Sequence, residues 1–245
     1  MKTLIAVGVC VALLAVPGTA DAQGMWDLAT DFSTTTNDDT STWSYRKGPR
    51  DTHTVLPNFG DFGPFTPGPK QGGWGGGAED WSNPYLIWNN TPFVQNWYGS
   101  VPDIPAGSVF GTPAGDSELI ASWLSPITGQ VDISAEIVFR QDHGPGSNGI
   151  DYHIDLNNSA GNLLTGSLGD ATSLAGTTTG PLGVSGQSVS AGNRINLVMD
   201  SQGTGAYDVL GVALTITQVP EPATLAMLAT LLGVCLLGMR APRPL

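Results

Sequence analysis

From Val131 to Phe139 every second residue is apolar (Val131, Ile133, Ala135, Ile137, Phe139), while Asp132, Ser134, Glu136 and, beyond them, Arg140 take the positions between. A period of two puts one set on each face of a pleated strand, whereas a helix would scatter both sets around its circumference. The same alternation recurs in Leu119, Ala121 and Trp123, and in Ile150, Tyr152, Ile154 and Leu156 against Asp151, His153 and Asp155. It returns in Ile195, Leu197 and Met199 against Arg194, Asn196 and Val198, and in Val212, Leu214 and Ile216. Trp43 and Tyr45 share one face of a shorter run. No helical period appears between these runs, and 33 Gly and 18 Pro among 245 residues punctuate them. The expectation is an all-β, antiparallel β-sandwich of jelly-roll type rather than a parallel α/β domain.

The segments between the runs are less regular. Asp142 to Gly149 reads as a loop, and Asn157-Asn158-Ser159-Ala160-Gly161 as a turn into Leu163-Leu164-Thr165, which suggests a meander. Gly166 to Gly186 is polar and rich in Gly and Thr, so a loop is expected there. Lys47 to Gly77 keeps no period and is expected to be a long loop lying on the sheets. Its glycines, Gly72-Gly73-Trp74-Gly75-Gly76-Gly77, are not followed by the Gly-Lys-Ser/Thr that a phosphate loop needs.

Between Met25 and Val219 stand nineteen Asp and Glu against six Lys and Arg, a formal charge of −13. Such a surface repels phosphate backbones, so nucleic acid is excluded as a partner, and divalent cations are drawn to it. Both cysteines, Cys10 and Cys235, lie outside this body, and no disulfide can staple it. Its stability has to come from a packed core, for which about 190 residues are enough.

The ends read differently. Met1-Lys2, an apolar run from Leu4 to Val16 and the small residues around Ala20-Asp21-Ala22 form a secretory signal peptide over residues 1–22, cut after Ala22. The β-sandwich domain is expected over 25–217 and a tail over 218–245. In that tail Pro220 and Pro222 flank Glu221 and keep the backbone irregular and open to an enzyme. Seventeen apolar residues from Ala223 to Met239 follow, enough for one transmembrane helix, and then Arg240 and Arg243. By the positive-inside rule the arginines stay cytoplasmic and the body lies outside the inner membrane.

The order of Val219-Pro220-Glu221-Pro222, apolar helix and basic end resembles the PEP-CTERM sorting signal of Gram-negative bacteria. The resemblance implies export, transient anchoring in the inner membrane and processing near the motif by exosortase. It also implies placement at the cell surface or in an extracellular biofilm matrix, with an exopolysaccharide or other matrix glycan as partner. Residues 31–217 resemble bacterial jelly-roll domains of the galactose-binding or carbohydrate-binding-module type. The residues that carry this are Asp31-Phe32 leading to Trp43-Ser44-Tyr45, then Trp123-Leu124-Ser125-Pro126-Ile127-Thr128-Gly129, Asn148-Gly149-Ile150-Asp151 and Tyr207-Asp208. Modules of that kind often carry a structural ion, and Ca2+ suits oxygen ligands, with Asp31 and Asp208 as the candidates beside the first and last strands.

Chemistry is sparse. Asp151, His153 and Asp155 follow one another at roughly 7 Å on one strand face. With Glu136 they could form a glycosidase pair, for which carboxylates about 5–5.5 or 6.5–9.5 Å apart are needed, but a solvated polar face shows the same spacing. Arg140 offers Glu136 a simple charge partner. His53, His143 and His153 have no zinc spacing, and no Gly-x-Ser-x-Gly elbow is present. Trp81, Tyr85, Trp88 and Trp97, with Phe93 and Tyr98 between and beyond, could form a sugar-stacking platform or fill the core. Three functions remain open from sequence. The leading one is a non-enzymatic exported surface or matrix protein with a carbohydrate-binding domain. A secreted glycan-active hydrolase and a structural scaffold without a specific ligand are the others.

Overall fold

The computed structural model describes residues 23–49, 52–62, 65–66, 71–75, 83–97, 103–115, 117–140, 148–169, 175–203 and 208–220, and of 58–62, 65, 66, 71 and 97 the backbone alone. The chain divides into a compact body, Met25–Gln218, and a second unit formed by Met1–Gly24 and Val219–Leu245. The signal-peptide residues 1–22 and the apolar run 223–239 lie outside the described residues. Among the described residues no helix is long and apolar enough to cross a membrane.

The described body is all strand and turn. In order, the strands are β1 (Met25–Asp27), β2 (Trp43–Lys47), β3 (Thr54–Val55), β4 (Asn58–Phe62), β5 (Phe65–Thr66), β6 (Gln71–Gly75), β7 (Tyr85–Trp88), β8 (Gln95–Trp97) and β9 (Asp103–Ile104). Then come β10 (Val109–Thr112), β11 (Leu119–Leu124), β12 (Gly129–Phe139), β13 (Ile150–Leu156), β14 (Asn162–Leu168), β15 (Leu182–Val189), β16 (Arg194–Ser201) and β17 (Leu210–Gln218). One sheet runs β15-β12-β17-β10-β7-β6-β4, with β1 also paired to β17. A second runs β14-β13-β16-β11-β2-β3, and β5-β8-β9 make a small third.

The two large sheets share one core, as the period-two runs require. Val131, Ile133, Ala135, Ile137 and Phe139 of β12 and Leu214 and Ile216 of β17 pack in one buried cluster with Trp123, Tyr45, Leu197 and Ile154 from the other sheet. A smaller cluster of Tyr85, Ile87, Ile104, Phe110 and Val209 is separate. Trp123 and Tyr45, the largest of the fully buried side chains, are both on the β11–β2 pair, where Ala121 stands opposite Tyr45 and Trp123 opposite Trp43.

Several sequence expectations need correction. Lys47 to Gly77 is not one long loop, because β3, β4 and β6 form within it. Gly73 explains why a Gly-rich strand is possible there: a Cβ on it would stand 2.7 Å from the Leu86 carbonyl oxygen of the neighbouring β7. Gly166 to Gly186 is not one loop either, since β14 runs to Leu168, β15 begins at Leu182 and Thr178 bridges Val138. The meander holds for the β13–β14 hairpin, but β12 and β13 belong to different sheets, as do β15 and β16 and then β16 and β17. The last strand ends at Gln218, one residue later than its apolar alternation indicated.

Candidate functional site

The first described strand leads directly into the site. Asp27 closes β1 with a tight turn: its Oδ1 accepts the Ala29 and Thr30 N–H groups at 3.1 and 2.9 Å, and its Oδ2 accepts the Thr215 hydroxyl of β17 at 2.9 Å. Burial pushes the Asp27 carboxyl up, but these donors outweigh it and hold it below the usual carboxylate range. The Asp27 N–H in turn donates to Asp31 Oδ2 at 3.1 Å. The chain then crosses to the other sheet through a Ser/Thr-rich segment. Ser33 is pinned there by two core aromatics: its N–H donates to the Tyr45 hydroxyl (3.0 Å), and its carbonyl accepts Trp74 Nε1 (2.6 Å). The Phe32 ring stacks on Tyr45 at 4.4 Å and 19°. Asp38 fixes the far end, accepting from the backbone and hydroxyl groups of both Thr40 and Ser41.

This segment and β1 enclose a cleft of about 520 Å³ lined by Met25, Trp26, Asp31, Ser33, Thr36, Ser41, Thr42 and Trp43. The composition is uneven in a useful way. Trp26 is half-buried, its ring 5.0 Å from the fully buried Trp123 and tilted by 54°, so the core holds its orientation. Met25 is 67% exposed. Trp43 is buried and directs Nε1 at Asp31 Oδ2, 3.4 Å away. Among the described residues both bonds to Asp31 use Oδ2, which leaves Oδ1 for a ligand. Ser33, Thr36, Ser41 and Thr42 add four hydroxyls that can donate and accept, and none of the described lining residues carries a positive charge.

The residues singled out from the sequence are distributed differently. Tyr85 is no platform: it is 3% exposed in the smaller core cluster, where its hydroxyl accepts from Thr112 Oγ1 at 2.8 Å and burial pushes its pKa up. Trp88 is half-buried against the main core, 6.3 Å from Phe32, so it too packs rather than presents a face. Trp81, and the side chain of Trp97, lie outside the described residues. Phe93, by contrast, is 59% exposed.

Asp31 and Asp208 do not share a site. Asp31 folds back on β1, whose Asp27 stands opposite Thr215, while Asp208 precedes Leu210 at the other end of β17. Seven residues of extended chain separate them, on the order of 20 Å. Among the described residues no group of three His, Cys, Asp or Glu is placed to hold a metal ion. Of the tail motif, Val219 is half-buried and Pro220 exposed, while Glu221, Pro222, Arg240 and Arg243 lie outside the described residues, as does His143.

The strand-face carboxylates are not assembled for catalysis. Glu136 points from the outer side of β12 and accepts the Thr178 hydroxyl at 2.8 Å, whereas Asp151 and Asp155 are on β13 of the other sheet. Nor is their face simply solvated. Asp151 is exposed, but Asp155 is fully buried because the Asn157-Asn158 turn folds back over it, and the Asn158 N–H donates to Asp155 Oδ1 at 2.8 Å. Both turn residues are left-handed, with φ near 58° and 57°, a conformation Asn tolerates.

Sequence reasoning missed Trp26, Met25 and the hydroxyl segment. The available signal was a Trp one residue from Asp27 and five from Asp31, followed by a Ser/Thr run too polar for a core strand.

No family model matches the chain, and no curated protein matches it. Among solved structures it is similar to a cyclase from Fischerella sp. TAU, at 10% identity and a TM-score of 0.38, over 76% of this chain and 88% of that one. A family 61 carbohydrate-binding module in complex with β-1,4-galactotriose gives 12% identity and 0.34, over 66% of this chain and 95% of the module. The C-terminal family 6 carbohydrate-binding module of a marine laminarinase from Zobellia galactanivorans gives 19% and 0.29, over 56% of this chain and all of the module. At these identities and scores the similarity carries no argument about ligand or chemistry.

Proposed function

We propose that this chain is an exported, non-enzymatic protein of the cell surface or extracellular matrix that binds a neutral glycan in the Trp26 cleft. The observation that carries the reading is the lining itself. A Trp ring held by the core offers an apolar face for a sugar ring, and Asp31 Oδ1 with four hydroxyls offers partners for the sugar's own hydroxyls. The net charge of −13 on the body argues against a polyanionic glycan. Loop anchors at Ser33 and Asp38 hold the lining before any ligand arrives, which lowers the ordering cost of binding.

Export and attachment belong to the same proposal. Residues 1–22 direct secretion, Ala223 to Met239 anchor the chain transiently in the inner membrane, and Val219-Pro220-Glu221-Pro222 present it to exosortase. Cutting there would leave the body joined closely to whatever it is transferred to, because β17 ends at Gln218.

Two experiments test the proposal. A glycan array probed with the purified chain, wild type and Trp26→Ala, should give signals on neutral glycans that the variant loses. Uniform silence would favour a scaffold without a ligand. Mass spectrometry of the mature protein from an exosortase-positive cell should show a C-terminus near Pro220, and an intact Leu245 would sink the processing step.

A further inference from the structure

On the outer face of the six-stranded sheet a second cluster stands apart from the cleft. Ser44, Ser122, Asn196, Asp155 and Asn162 lie directly opposite one another across five strands, so one cross-strand row is wholly polar. Ser44, Ser122, Asn196 and Asp155 are all fully buried although they face away from the core. Most of the row is satisfied internally. Arg194 Nη1 donates to the Ser44 and Ser122 hydroxyls at 3.0 and 3.3 Å, and Asn196 Nδ2 donates to Asp155 Oδ1 and Asn158 Oδ1 at 2.9 and 2.8 Å.

Three atoms are left over. Asp155 Oδ2, Asn196 Oδ1 and His153 Nε2 are buried and have no hydrogen-bond partner among the described residues. The first two belong to side chains without solvent exposure, where an unmatched polar atom is costly. Asn196 Oδ1 is an acceptor because the amide nitrogen is committed to two oxygens, and His153 Nε2 is an acceptor in one neutral tautomer. His153 Nε2 lies 3.5 Å from Asp155 Oδ2. That is too long for a good N–H···O bond. Two ligands each about 2.1 Å from one tetrahedral ion, however, stand about 3.4 Å apart.

We infer that His153 Nε2 and Asp155 Oδ2, with Asn196 Oδ1 on the neighbouring strand, form a site for a divalent transition cation. One imidazole nitrogen with two hard oxygens suits Zn2+ better than Ca2+, and the set is too small to close the coordination sphere. Water would have to close the sphere by entering past the His153 ring, whose side chain is 16% exposed although Nε2 itself is buried. Among the described residues no third His, Cys, Asp or Glu joins them, so the chain supplies three ligands at most. Bound there, the ion ties β13 to β16 and holds the His153 ring in one tautomer.

The test uses the full chain, purified in detergent and stripped with a chelator, then titrated with Zn2+ by calorimetry. One Zn2+ per chain is expected, with affinity lowered at least about tenfold in His153→Gln and in Asp155→Asn, and kept in His53→Gln. Substituting Ca2+ should give no saturable heat. Circular dichroism checks that each variant folds. Should Asp155→Asn fail that check, His153→Gln alone decides, since its ring is partly exposed. No saturable Zn2+ binding, binding that survives His153→Gln, or binding lost with His53→Gln would overturn the inference and leave His153 and Asp155 as an ion pair.

Discussion

Asn37 lies at the base of the segment that lines the cleft, and its replacement by Ala has a calculable effect. At the end of β3, Leu56 N–H donates to Tyr45 O at 2.8 Å, and an antiparallel pair would return the second bond from Tyr45 N–H to Leu56 O. The Asn37 amide is inserted there instead. Its Oδ1 accepts Tyr45 N–H at 2.8 Å, and its Nδ2 donates to Leu56 O at 2.9 Å and to Tyr45 O at 3.0 Å. In Asn37→Ala, Tyr45 O keeps the Leu56 bond, but Tyr45 N–H and Leu56 O lose their partners beside two side chains that are 0% and 1% exposed. Three bonds at about 1 kcal/mol each, with partial rescue of the orphaned groups by water, give a loss of about 2–4 kcal/mol. For a body of this size that lowers Tm by about 5–15 °C. Urea unfolding followed by circular dichroism reads it as a fall in midpoint at unchanged slope. Asn37→Asp keeps the acceptor but sets a carboxylate against two carbonyls, so at neutral pH it should cost at least as much. A loss below about 0.5 kcal/mol in Asn37→Ala, or a wild-type midpoint in Asn37→Asp, would refute the inserted amide.

Asp200 stands opposite Asp151, and burial, then Glu118 and Asp151, push its carboxyl up. A raised folded pKa means its protonated form is favoured, so stability is complete at low pH and lost as pH rises through the folded value. Asp200→Asn should therefore raise stability at neutral pH by a few tenths to about 1 kcal/mol, and the gain should vanish below about pH 3 in a pH series of thermal melts. Asp155 is the opposite case: burial raises its carboxyl, but His153, Asn196 and the Asn158 N–H outweigh it and hold it low. Its contribution is present above the ordinary carboxylate range and is lost on acidification, so Asp155→Asn should show a flatter acid limb than wild type. Gly149 has φ +91°, and a Cβ there would stand 2.5 Å from Gly169 O, so Gly149→Ala should cost about 2 kcal/mol or more in the same unfolding assay.

The long strands were legible because burial on one face imposes a period of two. In β12, Val131 to Phe139 bury every second residue, and in β17 Val212, Leu214 and Ile216 do the same. The short strands were not. β6 is Gln-Gly-Gly-Trp-Gly, and its pairing is allowed by the missing Cβ atoms rather than driven by an apolar pattern. Burial on both faces also hid information: Ile120 and Val198 are fully buried on the outer side of the second sheet, where alternation predicts solvent. The candidate cleft was the least legible part. Aromatic density drew attention to Trp81 through Tyr98, yet Tyr85 and Trp88 are used to pack. The cleft is made by tertiary placement of Trp26, whose neighbours in sequence give no period to read.

If a glycan binds the chain, it meets it at Trp26. Seven Trp residues give separate indole Nε1–H resonances, which allows that claim to be measured directly. The chain, labelled with nitrogen-15, would be titrated with the strongest array glycan. The largest shifts are expected for Trp26 and for Trp43, whose Nε1–H faces Asp31, with smaller ones for Trp74, which holds Ser33, and Trp123, which packs on Trp26, while Trp88, outside the cleft lining, stays in place. Saturable binding with Trp26 unmoved would contradict that claim.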